Sequence, residues 1–140
     1  MQGLLRRAVL LLLVGALAGC GARNGGASVG SSKPFDAYVV MGGHIKSCWF
    51  NADAPLLPTY VYRADVSPDG ANVKITIHAR EALGRAGMST YAIDFKQEGP
   101  STVITTENRK MPPDLAAKMQ YDIDRWKRGE TDCNKTRPPG

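Results

Sequence analysis

The chain has 140 residues, with 18 basic against 13 acidic side chains and a formal charge of +5. That length allows one domain with a modest core, and so mild an excess, with both signs interspersed, argues against a nucleic-acid partner. Two histidines, in no HxxxH or similar pair, give no zinc site, and no cofactor is expected.

Arg6 and Arg7 precede the apolar run AVLLLLVGALAG from Ala8, and small residues lead to Cys20. This is the order of an export signal. The run is about a dozen residues long, short of the roughly 20 that cross a membrane, so residues 1–19 are expected to be cleaved. Leu17-Ala18-Gly19-Cys20 resembles the lipobox of bacterial lipoproteins. The resemblance implies that the Cys20 thiol receives a diacylglycerol, that the chain is cut just before it, and that the new amine is acylated. Small side chains at Ala18 and Gly19 admit the peptidase, and each buried acyl methylene contributes about 0.8 kcal/mol to the anchor. A plain secretory signal with an accidental Cys20 is the alternative. Gly21 and Ala22 stand where Asp tends to retain lipoproteins in the inner membrane, which favours the outer membrane. The expected place is thus the bacterial envelope, facing the periplasm, with the membrane held through Cys20. Loss of Arg6 and Arg7 lowers the charge from +5 to +3.

From Cys20 to Pro34 the chain is glycine-rich and nearly without apolar bulk, and it is expected to be a flexible tether. About 14 such residues reach about 20 Å. A single globular unit is expected over 35–133, and the polar NKTRPPG from Asn134 is expected to be a disordered tail over 134–140.

Phe35, Tyr38, Val39, Ile45 and Trp49 fall at steps compatible with one helical face, weakened by Gly42-Gly43. A strand over residues 37–41 is the alternative. A connection with two prolines, NADAPLLPTY, follows. Tyr60, Tyr62, Ala64 and Val66 then alternate with polar residues, as do Val73, Ile75, Ile77 and Ala79. SPDGA between them predicts a hairpin in which Val66 pairs with Val73 and Asp65 lies opposite Lys74. DVSPDG also matches the start of an EF-hand calcium loop, but Thr76 stands where the bidentate Glu is needed and the flanks alternate as strands. After the polar connection EALGRAGM, Tyr91, Ile93 and Phe95 share a face, EGPS turns, and Ile104 returns opposite Phe95 in a second hairpin. Leu115, Met119, Ile123 and Trp126 form a helical stripe, with prolines before it and Gly129 after. The expected fold is α+β: an antiparallel four-stranded sheet of two hairpins, with the N-terminal and C-terminal helices on one face and a wet opposite face.

With Cys20 given to lipid, Cys48 and Cys133 remain and are expected to pair in an oxidising periplasm. Two buried thiols, or a bridge between copies, are the alternatives. IKSCWF before the first strand, with the PDG hairpin after it, is similar to the C-terminal domains of the TonB and TolA envelope proteins. That similarity implies partner binding without catalysis, although the second hairpin departs from their order.

The polar sheet face collects Arg63, Lys74, His78, Arg80, Asp94 and Lys96, a candidate binding face that a solvated sheet also explains. Ser67, Ser89 and Ser101 sit in turns without a GxSxG elbow. The leading expectation is a lipid-anchored binding or assembly protein of the envelope, non-catalytic, whose partner is an envelope protein or peptidoglycan. The alternatives are a small periplasmic enzyme using His78 and Asp94, and a small-ligand carrier using Tyr60, Tyr62, Tyr91 and Trp126.

Overall fold

The computed structural model describes residues 33–133. The signal segment, the Cys20 lipobox, nearly all of the tether and the tail lie outside the described residues. Within them the order is α1 (Pro34–Trp49), β1 (Tyr60–Val66), β2 (Asn72–Arg80), a 3-10 turn (Ala82–Gly84), β3 (Ala86–Glu98), β4 (Ser101–Asn108) and α2 (Pro113–Lys127). The strands form one antiparallel sheet in the order β1-β2-β3-β4.

Both expected registers are present. Val66 faces Val73 and Asp65 faces Lys74, while Phe95 faces Ile104. The first turn closes on itself: Gly70 takes φ +68, and its N–H donates to the Ser67 carbonyl at 2.9 Å. The Asp69 carboxylate accepts from the Ser67 hydroxyl at 2.6 Å and the Ala71 N–H at 3.0 Å, and those two bonds hold its pKa below the ordinary value. Its calcium-like spelling therefore serves a turn.

Period-two alternation places Val73, Ile75 and Ile77 of β2 beside Tyr91, Ile93 and Phe95 of β3, all buried in one cluster. Ala37, Met41, Ile45 and Trp49 of α1 and Met119, Ile123 and Trp126 of α2 complete that cluster, so both helices cover the same face. Burying each large side chain contributes about 1.5–3 kcal/mol. The opposite face carries no helix.

Three expectations are corrected. Pro34, placed at the end of the tether, is the first residue of α1 and is buried; its fixed φ and missing N–H suit a helix start. On α1 the inward stripe is Ala37, Met41, Ile45, Cys48 and Trp49, whereas Phe35 and Val39, assigned to the packed face, point out. β3 begins at Ala86, inside the expected connection, because register shifts at Ile77/His78 and His78/Arg80 let Arg80 pair with Ala86.

Cys48 and Cys133 are joined by a disulfide within the chain, with Cα atoms 5.1 Å apart. It ties the last turn of α1 to the segment after α2.

Candidate functional site

The helix-free face of the sheet displays alternate residues of each strand, so Arg63 and Asp65 of β1, Lys74, Thr76 and His78 of β2, and Asp94 and Lys96 of β3 share it. Lys74 lies between two carboxylates in the register, Asp65 and Asp94. Its ammonium pairs with Asp94 at 3.2 Å. Because Lys74 is 44% and Asp94 19% exposed, the pair adds at most about 1 kcal/mol to stability.

Near the first hairpin turn this face dips into an open concavity of about 430 Å³, bordered by Asp65, Asn72, Lys74, Asp94 and Lys96. Three of the six candidate face residues, Lys74, Asp94 and Lys96, are therefore brought together. Arg63 sits on the same face opposite Thr76 but does not line the concavity. The paired Lys74 and Asp94, with Lys96 and Asp65 at the sides, present both signs of charge within one shallow site.

The remaining two candidates are used structurally. The Arg80 guanidinium donates to the Tyr60 carbonyl at 3.1 Å, at the far end of β2. The His78 imidazole bridges the bulge: Nδ1 lies 2.9 Å from the Gly87 carbonyl oxygen and Nε2 lies 2.9 Å from the Thr76 hydroxyl. A carbonyl only accepts, so Nδ1 carries the proton, and in the neutral ring Nε2 accepts from Thr76. Asp94 faces Lys74, four residues back along β2 from His78, a separation of about 13 Å at the strand rise. The structure does not bring His78 and Asp94 within proton-transfer distance.

The aromatic residues considered for a ligand carrier are packing elements. Tyr91 and Trp126 are 2% and 1% exposed members of the core. Tyr91 donates its hydroxyl to Gln120 at 3.3 Å, and Trp126 lies between the rings of Trp49 at 5.3 Å and His44 at 5.4 Å. Tyr62 is edge-on to Phe50 at 6.2 Å and under the Lys46 ammonium at 5.3 Å; burial, and after it the adjacent Tyr38 phenol, push its pKa upward. Tyr60, at the start of β1, gives its carbonyl to Arg80.

Sequence reasoning missed the buried charges of α2. Asp122 and Arg125 are 1% and 0% exposed. Asp122 accepts from the Trp49 indole at 3.0 Å, pairs with Lys118, and lies 3.5 Å from an Arg125 nitrogen. Arg125 also donates to the Glu130 carboxylate at 2.9 Å and the Asp132 carbonyl at 3.0 Å. The one available signal was the i,i+3 spacing of opposite charges on either side of Ile123, which equally fits an exposed pair. These groups hold the segment that leads from α2 to Cys133.

Among the described residues no group of three His, Cys, Asp or Glu side chains is placed to hold a metal ion, and no helix is long and apolar enough to cross a membrane. Comparison of the chain with protein-family models, curated proteins and solved structures found no match.

Proposed function

We propose that the protein is a lipid-anchored component of the bacterial cell envelope that binds or assembles with another envelope component and catalyses no reaction. The observation that carries this reading is the helix-free sheet face, where Lys74, Asp94, Lys96 and Asp65 border one open concavity. A face of mixed charge on a rigid sheet offers directional contacts to a macromolecular surface. The lipobox at Leu17 to Cys20 and the glycine-rich spacer that follows supply the anchor and reach. His78 and Asp94 stand about 13 Å apart along the strand, which gives no support to a shared acid–base role, and Tyr91 and Trp126 are buried in the core.

The test is site-specific photo-crosslinking in cells, with the crosslinking side chain at Arg63 on the sheet face and, separately, at Lys127 on α2. A discrete adduct with a protein or with peptidoglycan is expected from Arg63 and not from Lys127. Absence of any adduct across growth conditions overturns the binding function. For the anchor, Cys20→Ser is expected to abolish fatty-acid labelling and membrane fractionation while the circular dichroism of the folded chain stays unchanged.

A further inference from the structure

α1 is apolar on its outer side as well as its inner one. The inner arc carries Ala37, Met41, Ile45 and Trp49, each at most 1% exposed. The outer arc of the first two turns carries Phe35, Val39 and Val40, which are 45%, 54% and 37% exposed, with Asp36 as its one charged side chain. A helix at the surface of a domain ordinarily turns a polar side outward, and one that is apolar all round is covered on both sides. Beyond these turns the outer arc ends in Gly43, Lys46 and Ser47.

These exposed groups stand where the chain enters the domain. Lys33 immediately precedes α1, and only residues 21–33 separate it from Cys20. Val66, 43% exposed, closes β1 at the same end. The adjoining turn touches α1, since a Cβ placed on Gly70 would lie 3.5 Å from Phe35 Cβ.

We propose that the outer face of α1, through Phe35, Val39 and Val40, docks on the surface of the lipid bilayer. The inference rests on the lipid-anchor reading. The position and length of the preceding chain select this occupant: with Cys20 in the membrane, the 13 residues 21–33 limit the first turn of α1 to about 45 Å from the head groups at full extension, with a root-mean-square distance of about 20 Å for a random coil of that length. Contact with the bilayer is then an intramolecular event at high effective concentration. A stable contact with a second copy would need roughly 800 Å² per partner, more than three half-exposed side chains offer. Asp36 offsets Lys46 across the arc, and exposed Lys33 at its start leaves a single excess positive charge, so the contact rests chiefly on the apolar side chains. Docked in this way, the helix layer faces the membrane and the concavity at Lys74 and Lys96 faces away from it.

The test uses the full chain, matured in a bacterial host and placed in vesicles of phosphatidylethanolamine and phosphatidylglycerol with brominated acyl chains. Two variants are compared, V39W on the outer arc and T105W on the helix-free sheet face. The native Trp49 and Trp126, 0% and 1% exposed, give a constant background. Emission of the V39W chain is expected to be quenched about twofold or more beyond that of T105W, as shallow burial in the acyl boundary requires, and the difference is expected to persist at high salt. Equal quenching in a chain whose mass shows lipid on Cys20 overturns the docking and leaves the anchor standing. A chain without lipid overturns the anchor and the docking together. Protection of the V39W emission from bromolipid, combined with self-crosslinking of the chain, assigns the face to a second copy and overturns membrane docking.

Discussion

Arg125 illustrates where reading by residue type runs out. It falls between Ile123 and Trp126, and its charge places it on the wet side of a helix, yet it is wholly buried because Asp122, Glu130 and the Asp132 carbonyl all meet its planar fork. Two of those partners lie beyond α2, so no periodicity within the helix could reveal them. His44 is a second case: it belongs to no motif, but its ring stacks on Trp126 at 5.4 Å with 21° between planes, and burial holds its pKa below the ordinary 6.5. A depressed histidine pKa means that the unfolded chain takes up the proton first as pH falls. His44 therefore favours the folded state fully above pH 6.5, and that contribution is lost as pH drops from there through the lower folded-state value. Urea unfolding is expected to show lower stability at about pH 5.5 than at about pH 7.5, with the difference reduced in His44→Gln. An unchanged difference in the variant would assign the pH dependence to other groups.

At the level of elements, legibility followed the strength of the local constraint. The β1–β2 hairpin was readable to the residue because its turn, alternation and the Asp65–Lys74 juxtaposition each impose the same register. The start of β3 was not, since pairing of Ala86 with Arg80 depends on two bulges that polar spelling does not announce. The helical state of α1 was legible and its inward side was not: with apolar residues nearly all round, periodicity cannot choose between Phe35 and Met41, and only contact with the sheet decides. Of the six candidate face residues only Lys74, Asp94 and Lys96 line one concavity, for a related reason: alternation assigns a face but not the position along a strand at which side chains meet. The glycines of α1 separate local cost from packing. A Cβ on Gly43 would meet nothing within 4 Å, whereas one on Gly42 would lie 3.2 Å from the Tyr62 hydroxyl and 3.3 Å from the Tyr38 ring. Gly43→Ala is expected to stabilise the protein by about 0.8–1 kcal/mol through helix propensity alone. Gly42→Ala should recover less of that gain, because two aromatic rings must shift. Thermal unfolding of both variants checks the order, and an equal or larger gain at Gly42 would contradict the packing of Tyr38 and Tyr62 against it.

For the whole molecule, the decisive constraint is the link between its first and last elements. Cys48 lies in the last turn of α1 and Cys133 follows α2, 85 residues apart, so one covalent bond encloses the entire sheet. Arg125 acts on the same segment without a covalent bond, holding residues 130 and 132 against α2. The two devices divide the work by state. The arginine network exists only when the chain is folded, whereas the disulfide acts chiefly by restricting the unfolded chain, with an entropy effect that grows with loop length. Replacing both cysteines, Cys48→Ala with Cys133→Ala, is expected to lower unfolding free energy by roughly 4 kcal/mol for a loop of this size. The denaturant slope should rise, since an unrestrained unfolded chain exposes more surface. Urea titration of the double variant, and of the unsubstituted chain under reductant, measures both quantities. A loss below about 1 kcal/mol with an unchanged slope would mean that the unfolded chain is already compact without the bond, and that the contacts of Arg125 are sufficient to hold the C-terminal segment in place.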